Sequence, residues 1–334
     1  MIRVGIIGLG AMGRLHFQSW KTCPGAQIGA ISARDPKLRA GEWGGKEFNL
    51  GDQSEERVDL SGITPYERAE DLIADPSIDA VDICTATPQH APLAIAALRA
   101  GKHVLCEKPM ALTLAECDAM QAAADECGKV LMIAHCLRFW PHYVKAASLI
   151  QSGEYGRPLY ARLERTGAAP KWSSGGWLMK AGESGGVLDM HIHDVDVALW
   201  WFGRPETMEV SGASPAGLPM IIDAQWKYSN NLAVHLHGAW DPNGGNFRHA
   251  FRVVLEKATI AHDLARDAGV LEIWKDGEME KMEIGDGSVG YAREIEAFAS
   301  AVSSGKTPIE CKPSDSKASV ELGLQELELL GRTQ

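Results

Sequence analysis

Short apolar runs alternate with helix-compatible stretches over the first 136 positions. Ile2-Arg3-Val4-Gly5-Ile6-Ile7 leads into a glycine-rich turn and a helical stretch that includes His16, and Ala26 to Ser32 follows as a second apolar run. Asp79 to Cys84, His103 to Cys106 and Val130 to His135 repeat the pattern. Helices are expected over Tyr66 to Asp75, in the alanine- and leucine-rich segment after His90, and over Thr113 to Cys127. Continuous apolar strands separated by helices predict a parallel sheet with both faces covered, since such strands need no polar face. From Gly41 to Gly62 glycines and acids occur without period, and an extended loop or irregular helix continuation is expected.

After residue 136 the pattern changes. An amphipathic helix runs to Ser152, the turn Gly153-Glu154-Tyr155-Gly156-Arg157-Pro158 follows, and apolar and polar residues then alternate. The alternating segments are Tyr160 to Arg165, Met208 to Ala213, Met220 to Tyr228, Leu232 to Trp240, Phe251 to Leu255 and Leu271 to Trp274. Period-two patterning predicts strands of one open, mostly antiparallel sheet with a single covered face. Helices over Tyr291 to Ser303 and Ser314 to Leu330 close the chain. The expected architecture is α/β, a doubly wound parallel sheet over 1–136 followed by an α+β domain over 137–334. No repeat of fixed period and no low-complexity linker separates them, so closely packed domains are expected.

Composition narrows the function classes. A chain of 334 residues exceeds one ordinary core and suits two domains. No apolar run approaches the roughly 20 residues of a membrane helix, and no membrane partner is expected. The first apolar stretch has a single arginine before it, and cleavage after it would remove the glycine turn, so a secretory signal is not expected. Seven cysteines without a C-x-x-C pair, several inside apolar segments (Cys84, Cys106, Cys136), suit reduced core residues of a cytoplasmic protein, with neither disulfide nor cysteine-bound metal. A formal charge of −11 leaves no general basic surface for nucleic acid.

Candidate chemistry begins at Gly8-Leu9-Gly10-Ala11-Met12-Gly13, a G-x-G-x-x-G directly after a strand and before a helix. That context marks a dinucleotide-binding turn. Gly8 makes the tight turn, Gly10 lets the pyrophosphate approach, Gly13 allows close packing, and the helix N-terminus attracts the phosphates. About 20 residues further on, such folds place the group that reads the adenosine ribose. Here Ser32 and Ala33 precede Arg34, with no acid at that place, which favours NADP over NAD. Arg34 also suits a solvated loop position, and Asp35 before Pro36 suits a helix cap. Ligands of a parallel sheet bind beyond the carboxyl ends of its strands. This adds Thr85, Thr87 and His90 after one strand, and Glu107 and Lys108 after another, to the expected cofactor edge.

These elements together, Gly8 to Gly13 with His16, Thr87-Pro88-Gln89-His90, and Ala100-Gly101-Lys102-His103-Val104-Leu105-Cys106-Glu107-Lys108-Pro109, resemble the glucose–fructose oxidoreductase / inositol dehydrogenase / MocA (Gfo/Idh/MocA) family over nearly the whole chain. The resemblance implies a Rossmann domain, an NAD(P) cofactor and a role for Lys108 between nicotinamide and substrate. An ammonium there would favour the alkoxide-like charge that develops as hydride leaves. The family's glycine-pair, aspartate and histidine–aspartate stretch, here G-G-V-L-D-M-H-I-H-D over Gly185 to Asp194, implicates Asp189 and His193 at the reacting hydroxyl. The spacing makes sense alone: four apart on a helix, the two share a face, and histidine suits proton transfer near neutral pH. Two other readings stay open. His191-Ile192-His193 would be a metal-ligand pair on a strand, although no third ligand is evident, so no metal is expected; or the histidines cap or fill a packed helix.

His191 stands where many relatives carry a small residue, and Trp177 where relatives often carry a tryptophan. Arg138, Arg165 and the loop Pro170-Lys171-Trp172-Ser173-Ser174-Gly175-Gly176-Trp177 are assigned to the substrate pocket, an aromatic face with arginine suiting a sugar ring. Trp200 and Trp201 suit packing. The expected function is hydride transfer between NAD(P) and a secondary alcohol or ketone of a sugar, sugar derivative or polyol. Lys108, Asp189 and His193 would converge from two domains on one oxygen. The alternatives are a redox-neutral NAD-dependent glycosidase and a non-catalytic NAD(P)-binding regulator. A homodimer or homotetramer joined through the second domain's open sheet is expected, its uncovered face apolar.

Overall fold

A computed structural model describes residues 1–44, 57–170, 174–180, 186–285, 287–306 and 310–333, the side chains of Ser174, Trp177 and Thr333 excepted. Most of the 41–62 loop, Lys171 to Ser173 and Gly185 therefore lie outside the described residues, as does the Trp177 side chain. The chain divides into two compact units, Met1–Cys136 with Tyr291–Ala318, and Leu137–Gly290 with Ser319–Gln334. The pattern change after residue 136 coincides with this division. The return of Tyr291–Ala318 to the first unit departs from a contiguous 137–334 domain.

In the first unit β1 (Ile2–Ile7), α1 (Ala11–Thr22), β2 (Ala26–Ser32), α2 (Pro36–Arg39), β3 (Thr64–Tyr66), α3 (Ala69–Ala74), β4 (Ala80–Ile83), α4 (His90–Arg99), β5 (His103–Glu107), α5 (Leu114–Cys127) and β6 (Leu131–Ala134) alternate in chain order. The sheet order is β3-β2-β1-β4-β5-β6, and every pair is parallel. Chain direction across the sheet reverses between β1 and β4, the crevice where such sheets bind ligands. Val4, Ile6, Val81, Ile83, Val104 and Leu105 are fully buried, which is why these strands carry no polar alternation. α5 begins on a reciprocal cap in which Thr113 and Glu116 serve each other's backbone amides.

The second unit holds α6 (Pro141–Gln151), β7 (Pro158–Ala168), α7 (Leu188–Phe202), β8 (Thr207–Ala213), β9 (Ile221–Lys227), β10 (Ala233–Asp241), β11 (Arg248–Leu255), β12 (Thr259–Asp263), β13 (Val270–Lys275) and β14 (Glu278–Glu283). Helices α8 (Val289–Ser304) and α9 (Pro313–Thr333) follow. The sheet order is β14-β13-β12-β11-β7-β10-β9-β8, antiparallel except at its centre, where β7 and β10 run parallel. On β7, Ala161, Leu163 and Arg165 are buried and Arg162 is exposed, so one face carries the core and α7. The opposite face differs from the apolar one expected. It presents Tyr160, Arg162, Glu164, His235, His237 and Arg248, with Tyr160 and His235 rings 5.3 Å apart and Arg248 paired to Asp263 at 2.7 Å. No described helix is long and apolar enough to cross a membrane. No disulfide joins the described cysteines, and all but Cys127 are buried.

Candidate active site

The glycine turn is shaped by contacts that admit no side chain. Gly8 has φ of +94°, and a Cβ on it would lie 2.7 Å from the Cys84 carbonyl oxygen. A Cβ on Gly13 would lie 1.8 Å from the Gly8 carbonyl oxygen, so α1 can approach the turn only through glycine. A Cβ on Gly10 would meet nothing within 4 Å. Gly10 is exposed, Ala11 and Met12 are half-buried, and the first turn of α1 holds no acidic residue. This helix N-terminus, with no side-chain cap and beside an exposed glycine, fits a pyrophosphate.

At the carboxyl end of β2 the carbonyl of Ser32 accepts from Gly8 N–H at 2.9 Å, joining the first two strands at the turn. Ala33 is buried and Arg34 exposed. Asp35 caps α2 by accepting from Lys37 N–H at 2.9 Å, with Pro36 as the first helical residue. Arg39 donates to the carbonyls of Ala33 at 2.6 Å and Arg34 at 2.9 Å and reaches Glu67 at 3.3 Å. Arg39 is thus fixed by the loop, while the Arg34 side chain makes no hydrogen bond among the described residues.

Two further loops frame the same sheet end. His90 places Nδ1 2.9 Å from the Pro109 carbonyl oxygen and Nε2 3.0 Å from that of Thr85, so one buried ring ties the loop after β4 to the loop after β5. Thr87 is buried beside it and Thr85 half-buried. Glu107 is buried at the end of β5 and accepts from Lys108 N–H at 3.0 Å, while Lys108 is half-buried. Burial alone would raise the Glu107 carboxyl, yet the His16 ring 3.1 Å away, with Lys108 and His90, holds it below its ordinary range.

In the second unit, three polar groups of α7 are anchored in the interior. Asp194 accepts from Arg165 Nε at 3.0 Å and Nη2 at 3.3 Å. Asp196 accepts from Arg138 Nε at 2.8 Å and Nη2 at 2.9 Å, and from the Ser319 hydroxyl at 2.9 Å. His191 lies 2.8 Å from Glu326, whose other oxygen accepts from Trp226 Nε1 at 2.6 Å. Burial alone would lower His191, but the charge and hydrogen bond of Glu326 raise it above its ordinary value. A Cβ on Gly238 would come 2.8 Å from His191 Nδ1, so β10 makes room for this ring.

With these residues anchored, Asp189, His193, Leu199, Trp200 and Phe202 alone on α7 escape full burial. Asp189, His193 and Trp200 fall on one stripe at i, i+4 and i+11. His191 and His193, two apart on a helix, lie on different faces and do not converge as a metal-binding pair would. Trp201 packs against Tyr143 and Phe251, whereas Trp200 lies over the Arg138 guanidinium, 5.8 Å from carbon to ring centroid. Arg138 and Arg165, assigned to substrate from sequence, are buried and bidentate to α7. Sequence reasoning missed Tyr143, Glu326 and Ser319. Each is a polar residue on a helix, a weak signal without its partner.

Two family models match the chain: the oxidoreductase family with NAD-binding Rossmann fold over residues 2–135, and the GFO/IDH/MocA C-terminal domain over residues 143–261. Myo-inositol 2-dehydrogenase of Thermotoga maritima is 33% identical over 205 residues, 61% of this chain and 55% of that protein. 1,5-anhydro-D-fructose reductase of Ensifer adhaerens is 37% identical over 151 residues, 45% of each chain. The matched stretches span about half the length of these curated relatives. A crystal structure of a probable dehydrogenase from Thermotoga maritima aligns with a TM-score of 0.80 at 25% identity, over 100% of this chain and 98% of that one. With both domain models matched in order along it, the chain belongs to the Gfo/Idh/MocA family of oxidoreductases.

Proposed function

We propose that this protein is an NAD(P)-dependent oxidoreductase acting on a secondary alcohol, or its ketone, of a sugar, sugar derivative or polyol. The observation that carries the reading is α7, on which three buried anchors leave Asp189 and His193 one turn apart on the helix's unburied stripe. Both relatives described above are named for cyclic polyhydroxy compounds, an inositol and an anhydro-fructose, which supports the substrate class. The cofactor, held at Gly8, Gly10, Ala11, Met12 and Gly13, supplies the hydride acceptor or donor. His193 takes the hydroxyl proton during oxidation and returns it during reduction, and Asp189 orients the imidazole and stabilises its charged form. Lys108 donates to the reacting oxygen and favours its developing negative charge.

Arg34 supports NADP as the preferred cofactor, because an exposed guanidinium at the end of β2 with no hydrogen bond among the described residues suits a 2′-phosphate. Arg138 and Arg165 act through α7 rather than by touching substrate. Assembly is through the open face of the eight-stranded sheet, whose charged and aromatic rows suit a polar self-complementary dimer or tetramer; a monomer by light scattering at micromolar concentration would remove this part. Seven cysteines without a disulfide among the described residues suit the cytoplasm.

A panel of sugars, inositols and aldonates, followed by nicotinamide absorbance with each cofactor, tests the function. Turnover is expected, and His193→Ala should lower kcat by roughly 10²–10⁴-fold with cofactor affinity kept. Absence of redox turnover with the cofactor bound would turn the reading toward an NAD-dependent glycosidase or a regulator. Near-wild-type kcat in His193→Ala would remove His193 as the proton carrier.

A further inference from the structure

Beneath the cofactor edge, four elements of the first unit bring titratable side chains to one point. His16 of α1 is fully buried, with Nδ1 2.9 Å from Asp82 Oδ2 on β4 and Nε2 3.1 Å from Glu107 Oε1 on β5. Trp20 Nε1 donates to the same Asp82 oxygen at 2.7 Å, and the Cys84 thiol lies 3.4 Å from the other. Glu294 of α8 completes the group, fully buried, with neither carboxyl oxygen hydrogen-bonded among the described residues. His16, Asp82 and Cys84 gather ligand atoms within 4.8 Å, but the 2.9 Å separation of Nδ1 and Oδ2 is a direct hydrogen bond. Two ligands of one tetrahedral zinc ion stand on the order of 3.4 Å apart, so the cluster is bonded to itself.

The free end of this chain of contacts is functional. Glu107 faces His16 with one oxygen and with the other accepts from the backbone N–H of Lys108. We propose that His16 and Glu107 are positioning residues for Lys108: the ring, braced by Asp82 and Trp20, fixes the Glu107 carboxylate, which fixes the Lys108 backbone at the end of β5. The inference rests on the reading of Lys108 as the group that polarises the reacting oxygen. A buried carboxylate needs a compensating partner, and the buried His16 ring lies 3.1 Å from Glu107. Burial would lower the His16 imidazole, but the Asp82 charge, Cys84 and their hydrogen bonds hold it well above its ordinary value. Glu294, pushed well above its ordinary range by burial with Glu107 and Asp82 adding to it, stays protonated and adds no competing charge. The ring is thus hydrogen-bonded to Asp82 through Nδ1 and meets the Glu107 carboxylate as an ion-pair partner, 3.1 Å from Nε2.

Two amide replacements separate the two halves of the ring. The Asn amide nitrogen falls near Nδ1 and keeps the bond to Asp82, while the Gln amide nitrogen falls near Nε2 and keeps the contact with Glu107. His16→Gln should retain kcat within a few-fold, measured with the panel substrate turned over best, whereas His16→Asn should lose about 10–100-fold, the scale of a small misplacement of a reacting group. Cofactor affinity by fluorescence should stay the same in both. Without any cofactor, the Lys108 amide proton should exchange with deuterium at least about tenfold faster in His16→Asn than in His16→Gln, since a lost hydrogen bond of ~1.4 kcal/mol corresponds to that factor. A merely structural His16 gives the reverse order, because Asn keeps the shorter bond. If a His16 variant does not fold, Glu107→Gln, which keeps the shape and removes the charge, should lower kcat in the same range. Wild-type kcat and amide protection in His16→Asn or Glu107→Gln overturn the proposal. Lys108→Ala separates the two readings: turnover kept in that variant removes the role of Lys108 itself, while turnover lost there and kept in His16→Asn removes only the positioning.

Discussion

Arg165 and Asp194 form a buried bidentate pair, with Arg165 3% and Asp194 0% exposed and N···O distances of 3.0 and 3.3 Å. Asp194 adjoins His193, so the pair holds α7 where the proposed proton carrier stands. Arg165→Met leaves the Asp194 carboxylate in the interior without its cation, at an expected loss of about 3–5 kcal/mol, and Asp194→Leu leaves the guanidinium in the same position at a similar loss. The double variant, apolar on both sides, should recover most of the stability, giving a coupling of several kcal/mol rather than additive losses. Guanidinium titrations of the four proteins, followed by tryptophan fluorescence, measure the cycle. In the folded variants the displacement of α7 should act on kcat more than on KM for substrate. A coupling below about 1 kcal/mol refutes the bracing role, because additive losses mean the two groups do not compensate each other. If Arg165→Met instead folds with normal stability and a raised KM, the guanidinium touches substrate after all.

Glu294→Gln should stabilise the protein increasingly as pH rises. The carboxyl keeps its proton in the folded state above the 4.5 at which the unfolded chain loses it, so it destabilises the fold from that pH upward, by at most about 1.4 kcal/mol per pH unit until its own raised pKa is passed. Denaturation midpoints of both proteins at pH 5, 7 and 8 check this; a difference independent of pH means the carboxyl is ionised in the fold. Arg34→Glu should weaken NADPH binding by roughly tenfold or more, the scale of a charge-assisted contact of about 1.5–3 kcal/mol, and leave NADH within a few-fold. Fluorescence titration decides it, and equal losses for the two cofactors would mean Arg34 does not read the 2′-phosphate.

The glycine turn was legible in the sequence because its requirements are local: contacts too close for any Cβ at Gly8 and Gly13 leave glycine as the fitting residue. The buried strands of the parallel sheet were legible for a similar reason, each being apolar on both faces. β3, β12 and β14 escaped the pattern. β3 has three residues, none of them buried, and β14 reads Glu-Met-Glu-Lys-Met-Glu at a sheet edge where little is buried. β3 becomes a strand by pairing with the distant β2, which no local window contains, whereas β14 pairs with β13 across the two-residue turn Asp276-Gly277.

The run Asp189-Met190-His191-Ile192-His193-Asp194-Val195-Asp196 carries five polar side chains in eight positions, and a sequence cannot say which of them a buried surface will claim. Helical spacing pairs Asp189 with His193, but it pairs His191 with Asp194 and Val195 equally well. The partners that break this symmetry are distant: Arg165 is 29 positions before Asp194, Arg138 58 before Asp196, and Glu326 135 after His191. Read alone, Arg138 and Arg165 look like pocket residues, because an isolated arginine in a sequence has no visible anion. Once each is matched to its acid, the charges that seemed available for substrate become the reason that only Asp189 and His193, among the ionisable groups of α7, remain outside the core. The same reasoning applies to Glu294, whose place on an apolar helix face with Tyr291, Ile295 and Phe298 is visible in the sequence, while its neighbours His16, Asp82 and Glu107 become visible only in the fold.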